Sequence, residues 1–496
     1  MIGEELKYRI RQLFGHVPTP EQEHTIGVFA DFMTCRDSHM VMVLRGSAGT
    51  GKTTLAGAVV RAMNALNQKM VLLAPTGRAA KVFSLYAGTP AFTIHRRIYR
   101  QKSLMGSFEL GFNTARDTLF IVDEASMIAN QGFSDSSFGS GCLLDDLMSF
   151  VYGSDQNCRL LLIGDSAQLP PVGEESSPAL SASVLRSYGM QVYEADLCQV
   201  LRQAQESGIL YNATLIRNLP SSSVGSVSSS VCYAAALSLP KIRFHGFSDI
   251  LAVPGDELIE TLATSYSRAG MDDTIIITRS NKRANIYNQG IRRTVLDRED
   301  ELCRGDRLMI VKNNYFWLSA NGSSPLGNGQ EPKAKSQLEF IANGDIATVQ
   351  RVRNVHEQYG FRFAEVTLHF PDYDDCELTA TVLLDTLTSD SPSLTHEQQQ
   401  QLFERVMDDY ADIPRKADRM KKLKEDRYYN ALQVKFAYAV TCHKAQGGQW
   451  PHVYIDQGYM TDEMLTTDYL HWLYTAFTRA TDRLFLVNWP RTQIEE

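Results

Sequence analysis

One stretch constrains this chain more than any other: Val41-Met-Val-Leu-Arg-Gly46-Ser47-Ala48-Gly49-Thr50-Gly51-Lys52-Thr53-Thr54. It reads as a buried strand, a Gly-rich turn and the start of a helix. The spacing G-x-x-x-x-G-K-T is met at every fixed position. Gly46, Gly49 and Gly51 permit turns that a Cβ would obstruct. The loop amides, from Ser47 through Thr54, then point inward and cradle phosphate oxygens, helped by the positive end of the helix that follows. Lys52 is placed to reach the β- and γ-phosphates, and Thr53 to ligate Mg²⁺. A chance Gly-rich turn would lack the apolar run before it and the Ala/Leu-rich helical segment after it, Thr54 to Asn67. The chain is therefore read as binding a nucleoside triphosphate, and its use of the energy must come from other motifs.

The most informative of these is Thr118-Leu-Phe-Ile-Val-Asp123-Glu124-Ala-Ser126. An apolar strand delivers two consecutive carboxylates at its end. Asp123 can hold Mg²⁺ through water, and Glu124 can take a proton from an attacking water. Two acids at the end of a buried strand are costly to desolvate without a cation or water partner. A further strand, Arg159 to Gly164, runs into Asp165-Ser-Ala-Gln168-Leu-Pro-Pro-Val172, where Gln168 can sense the γ-phosphate on a loop stiffened by Pro170 and Pro171. With Met70–Pro75 and Met190–Leu197, these strands alternate with helices and put their chemistry at strand C-terminal ends. That pattern gives an α/β fold with a doubly wound parallel sheet.

Other strand ends carry residue types that hold a phosphodiester backbone: Pro75, Thr76 and Arg78 after one strand, Thr93 and His95 after another. Helix capping by Thr76 and Thr93 is the plainer alternative. Thr19 with Gln22 three residues on has capping-box spacing, and Gln22 can equally pair with an adenine edge. Both roles stay open. Between Tyr99 and Thr118, alternation and glycines predict a small β-hairpin, whose Phe108 either stacks on bases or packs on the core.

The chain has 496 residues, enough for about two to four domains. Its later part repeats the alternating pattern: Asp273–Lys282, with Asn281 at the strand-to-helix turn, and Val434–Thr441 followed by Cys-His443-Lys-Ala-Gln-Gly447-Gly448. Short period-two strands around 343–349, 361–370 and 377–385 predict a small inserted β-barrel. Residues 394–431 read as charged, solvated helices. The helical Tyr469–Ala480 segment ends in Arg479, placed as an arginine finger supplied in cis, a group that accelerates phosphoryl transfer by ~10³–10⁵-fold.

The net charge of −8 does not advertise nucleic-acid binding, but a local basic groove on an acidic body remains compatible with it. Eight scattered cysteines without a C-x-x-C pair indicate neither a zinc site nor a disulfide framework. The opening segment lacks the apolar core of a signal peptide, and no apolar run is long enough to span a membrane. A cytoplasmic protein with no membrane partner is expected.

Taken in order, GSAGTGKTT, LLAPTGRAA, TIHR, IVDEAS, GDSAQLPPV, LRQ, AVTCHKAQG and LYTAFTRA resemble the motifs of superfamily 1 helicases, most nearly the RecD-like/Dda branch that moves 5′ to 3′. The resemblance runs from Gln22 to Arg479. It implies two RecA-like cores, a strand-separating pin at 97–117 and an SH3-like barrel entered at Asn343-Gly-Asp. The implied boundaries are 1–96 with 118–200 for the first core, 201–342 with 434–496 for the second, and 343–433 for the barrel with its charged helices. It makes Gln22 the adenine contact and adds Gly448 to the nucleotide site. Lys52, Thr53, Asp123, Glu124 and Gln168 become the nucleotide and Mg²⁺ groups, with Arg202 and Arg479 as γ-phosphate arginines. Pro75, Thr76, Arg78, Thr93, His95, Phe108, Asn281, Thr441 and His443 fall on single-stranded DNA. The implied activity is ATP-dependent unwinding of DNA by a monomer acting at duplex junctions, with repair or replication proteins as partners. Two other classes compete: a non-unwinding translocating subunit of a nuclease or repair complex, and a small-molecule P-loop kinase, which leaves the second core and Arg479 without a purpose.

Overall fold

The computed structural model describes residues 2–101, 108–131, 139–154, 156–201, 206–222, 239–314, 316–317, 341–373 and 375–495. The chain divides into two compact units, one of Met1–Arg100, Phe108–Gly255 and Ala445–Glu496, the other of Gln101–Ser107 and Asp256–Lys444.

The first unit begins with strands β1 (Met40–Gly46), β2 (Lys69–Ala74), β3 (Ala91–Thr93), β4 (Tyr99–Gln101), β5 (Phe108–Leu110), β6 (Thr118–Val122), β7 (Arg159–Gly164) and β8 (Gln191–Leu197). Six of them form one sheet in the order β3-β2-β6-β7-β1-β8, and every pair is parallel. The residues of β6 are all buried, as the continuous apolar run requires of a strand covered on both faces. Helices Ile2–Phe14, Pro20–Thr34 and Lys52–Ala65 cover one face. Leu6, Ile10 and Phe14, four residues apart, bury one stripe of the first helix beside Phe29, Phe32 and the inward side chains of β1, β6 and β7. β4 and β5 form the expected two-stranded sheet.

This unit also holds three parallel strands, Ile250–Val253, Ala480–Val487 and Trp450–Asp456, with Ala480–Val487 in the middle. The helix Thr467–Phe477 leads into that middle strand and is buried along most of its length. In the second unit, Thr274–Thr278 pairs in parallel with Ala439–Thr441. These are the parallel elements expected of two RecA-like cores.

The second unit also contains a closed five-stranded barrel: Arg307–Ile310, Ile346–Gln358, Phe361–Phe370, Cys376–Leu383 and Leu432–Phe436. Its first strand lies ahead of residue 343. Register shifts between Val349 and Arg351 and between Arg353 and His356 mark irregularities in the long second strand, the kind of device that bends a strand and lets a small barrel close. The charged stretch 394–431 contains two helices, His396–Asp408 and Lys416–Lys424. It is not wholly solvated: Leu402, Val406 and Leu423 are buried in a cluster with Phe361, Phe363 and Leu383 of the barrel. The sequence hides this because each helix spends only one narrow stripe on the contact. Among the described residues, no helix is long and apolar enough to cross a membrane.

Candidate nucleotide site and strand-end residues

Three neighbouring strands, β6, β7 and β1, end side by side, and each delivers one part of the site. This is where an open parallel sheet places ligands. After β1, Gly49 and Gly51 adopt left-handed backbone (φ 76° and 77°), and Gly51 caps the helix that starts at Lys52. A Cβ on Gly51 would sit 2.7 Å from Gln22 Nε2. The loop is braced from several sides: Thr50 Oγ1 donates to Ser47 O (2.8 Å), Leu201 N donates to Gly49 O (3.0 Å), and Gln22 Nε2 donates to Thr50 O (3.0 Å). Gln22 also closes the capping box, its Oε1 accepting from Thr19 N at 2.9 Å. The buried amide thus fills the capping role that its spacing offered and adds a bond to the phosphate loop.

After β6, Asp123 accepts from the amide of Glu124 (2.9 Å) and from the Tyr86 hydroxyl. Burial pushes the Asp123 carboxyl above its ordinary value and neighbouring Glu124 adds to this, while Lys52 and Tyr86 pull it down. Glu124 sits in left-handed backbone (φ 52°), and its Oε2 is buried without a hydrogen-bond partner. After β7, Asp165 Oδ1 accepts from Ala167 N (3.0 Å), and Gln168 is buried with its Oε1 unpartnered.

The Thr467–Phe477 helix holds this last loop. Thr475 Oγ1 accepts from Leu169 N (2.7 Å), His471 Nδ1 lies 2.8 Å from Ala167 O, and Gln446 Nε2 donates to Leu169 O (2.6 Å). Just beyond the helix, Arg479 is buried. Its guanidinium is fixed by Thr475 O (3.1 Å), Gly448 O (3.0 Å) and Thr478 Oγ1 (3.2 Å).

These parts enclose a cleft of about 480 Å³, within the size range of ligand pockets. Ser47, Ala48, Gly49, Gly51, Lys52, Thr53, Asp123, Glu124, Gln168 and Arg479 all line it. Gln22, Gly46, Thr50, Thr54 and Gly448 are not among the lining residues. Leu201, Ile209, Leu210 and Gln449 are, and form walls that spacing did not single out. Arg202 lies outside the described residues. The donor set suits a triphosphate with a divalent cation: loop amides and Lys52 for phosphate, Thr53 and Asp123 as cation ligands, and two buried oxygens still to be satisfied.

The strand-end residues are engaged differently. Thr76 caps the Gly77–Ala87 helix by accepting from Ala79 N (3.2 Å), and Thr93 caps the next helix by accepting from Arg96 N (3.3 Å). Pro75 is partly buried at the end of β2. Arg78 stacks on Trp450, 4.1 Å from the ring centre, and donates to Gln449 O (3.0 Å). Burial holds the His95 imidazole down to about 4, opposed by Asp146, so it is neutral at pH 7. Phe108 is half-buried. Among the described residues near the hairpin, the fully exposed aromatic is Phe112, 96% accessible, a residue the alternation pattern gave no reason to prefer. In the second unit, Asn281 and Thr441 line a small cavity with Lys435 and Lys444, and His443 is exposed.

Sequence comparison agrees with this geometry. Residues 30–220 match the model of an AAA domain, and residues 436–487 match that of the UvrD-like helicase C-terminal domain. The chain is 33% identical over 180 residues to the ATP-dependent RecD2 DNA helicase of Deinococcus radiodurans, covering 35% of this chain and 21% of that protein. It is 28% identical over 184 residues to the ATP-dependent DNA helicase Dda of Enterobacteria phage T4, covering 36% and 38%. The chain thus matches about a fifth of the one and two fifths of the other. A crystal structure of Pif1 helicase from Bacteroides in complex with ADP-AlF3 and ssDNA aligns over 97% of this chain and 95% of its own, with 14% identity and a TM-score of 0.45.

Proposed function

We propose, with the chain's kinship to the RecD-like and Dda helicases of superfamily 1 as the premise, that it is an ATP-dependent DNA helicase that moves 5′ to 3′ on single-stranded DNA. The observation that carries this reading is the cleft, where Lys52, Asp123, Glu124, Gln168 and Arg479 face one space. The loop amides and Lys52 bind the phosphates. Thr53 and Asp123 would hold Mg²⁺, which when bound neutralises charge on the β- and γ-phosphates. Glu124 takes the proton of the attacking water, for which its unpartnered buried oxygen is suited. Arg479, already aimed by three acceptors, stabilises the charge that develops on the transferred phosphoryl group. Arg202 is assigned as its companion.

Pro75, Thr76, Arg78, Thr93 and His95 are assigned to contact single-stranded DNA in the first unit, and Asn281, Thr441 and His443 in the second. Because His95 is neutral, it serves as a hydrogen-bonding or stacking group rather than a phosphate cation. Gln168 sits on a loop bonded to the helix that leads to Arg479, so its position can follow the state of the nucleotide. Closure on ATP and release after hydrolysis then give directed steps along the strand.

Duplexes carrying a 5′ or a 3′ single-stranded tail test the proposal. Unwinding from the 5′ tail alone is expected. Unwinding from the 3′ tail alone overturns the direction, and hydrolysis stimulated by DNA without any unwinding favours a translocating subunit instead.

A further inference from the structure

Arg78 and Arg479 are far apart in sequence, yet both bond one short turn, Gly448-Gln449-Trp450. Arg479 meets it twice. Its guanidinium donates to Gly448 O (3.0 Å), and its backbone carbonyl accepts from Trp450 N (2.9 Å). Arg78, the second residue of the Gly77–Ala87 helix, donates to Gln449 O (3.0 Å) and lays its guanidinium over the Trp450 ring, 4.1 Å from the centre. Gln449 O and Trp450 N belong to the same peptide group. Arg78 therefore holds the oxygen and Arg479 the N–H of one rigid plane, whose two ends cannot turn independently.

The turn has little room to shift. Trp450 and Arg479 are both buried. A Cβ on Gly448 would lie 2.4 Å from Trp450 Cη2 and 3.1 Å from Arg78 Nε. Gly448 thus serves the site through its carbonyl, and Gln449 beside it lines the cleft. From this geometry, and resting on the reading of Arg479 as the group that meets the transferred phosphoryl, we infer that Arg78 is a positioning residue for Arg479. It clamps the Gln449–Trp450 peptide, and that peptide with Gly448 O sets where the Arg479 guanidinium stands. The stack and the aimed bond need a planar fork, which lysine lacks. This task is internal to the nucleotide site and adds to the strand contact assigned to Arg78.

A double-mutant cycle run without DNA tests the clamp. Single-turnover hydrolysis of saturating MgATP is measured in the full chain, in Arg78→Gln, in Arg479→Ala and in the pair. Omitting DNA removes any loss that comes from a strand contact. Arg78→Gln should slow hydrolysis about 10–10²-fold, within the cost of misplacing a reacting group by about 1 Å, while MgADP affinity by calorimetry stays unchanged. In the Arg479→Ala background the same substitution should slow nothing further, because the guanidinium it positioned is gone. A residue that only supported the fold would cost the same factor in both backgrounds. That result overturns the clamp, as does undiminished hydrolysis in Arg78→Gln. Arg78→Lys keeps the charge without the fork and should slow hydrolysis in the same direction. It keeps the test open should Arg78→Gln fail to fold, and full activity in it also overturns the clamp. If Arg479→Ala itself hydrolyses at the unmutated rate, the arginine-finger reading fails, and the clamp with it.

Discussion

The cleft and the barrel handle buried polar groups in opposite ways. In the cleft, Glu124 Oε2 and Gln168 Oε1 are buried with nothing to bond. Such atoms destabilise a fold unless a ligand or water satisfies them. In the barrel unit, the buried carboxylate of Asp345 is fully engaged: Tyr373 donates to Oδ1 (2.8 Å) and the amide of Ala342 to Oδ2 (2.7 Å). One region holds open bonding capacity for a partner. The other closes the bonds of Asp345 internally and invests its side chains in the apolar cluster of Phe361, Phe363, Leu402 and Leu423. Substitutions in the cleft should therefore change chemistry with little change in folding, and those in the barrel the reverse.

The largest effect expected on the cleft side comes from Arg479→Ala, which should slow ATP hydrolysis ~10³–10⁵-fold, the range of an arginine finger. A tenfold loss or less in steady-state turnover would return Arg479 to a purely structural part. Glu124→Gln should retain ATP binding while turnover falls ~10²–10⁴-fold, the range of general-base catalysis. Single-turnover hydrolysis with measured nucleotide affinity separates the two quantities, and near-normal turnover removes Glu124 from the base role.

On the barrel side, Asp345 gives a pH signature. Burial raises its carboxyl to about 7. In the unfolded chain it titrates near its ordinary value, about 4. Between those values the folded state binds the extra proton, so stability falls as pH rises. The contribution is fully present below about pH 4 and lost above about pH 7. Urea unfolding should therefore show the unmutated chain less stable at pH 8 than at pH 5, by an amount on the order of a few kcal/mol. Asp345→Asn should remove most of that difference and leave ATP turnover unchanged. An equal slope in the variant assigns the effect elsewhere.

Thr76 belongs to neither extreme and gives the smallest effect. As a helix cap, Thr76→Ala should cost ~1 kcal/mol of stability. If the same hydroxyl also serves DNA, affinity for single-stranded DNA should fall beyond that loss. A change in stability alone would leave the cap as its whole role.

What the sequence made legible follows the same division. Strand ends rich in Gly, Lys, Thr and paired acids announce the cleft, because few other folds tolerate that pattern, and the cleft gathers most of the set. The periods of the parallel strands gave the α/β class, and the short alternating strands gave a barrel. Three things were not legible. Tyr86 and Tyr474 reach Asp123 and the Ala48 amide from distant parts of the chain, and a tyrosine on a helix looks like core packing until its hydroxyl is located. The anchoring of 394–431 depends on a few apolar residues diluted among charges. Gln22 offered two readings, and its bond to Thr50 O depends on how the chain brings residues 22 and 50 together.

The most direct test of the central claim is the rate of ATP hydrolysis with and without single-stranded DNA, in the unmutated chain and in Lys52→Ala. The account predicts strong stimulation by DNA in the first and no hydrolysis in the second. Hydrolysis indifferent to DNA, or unaffected by loss of Lys52, would contradict it.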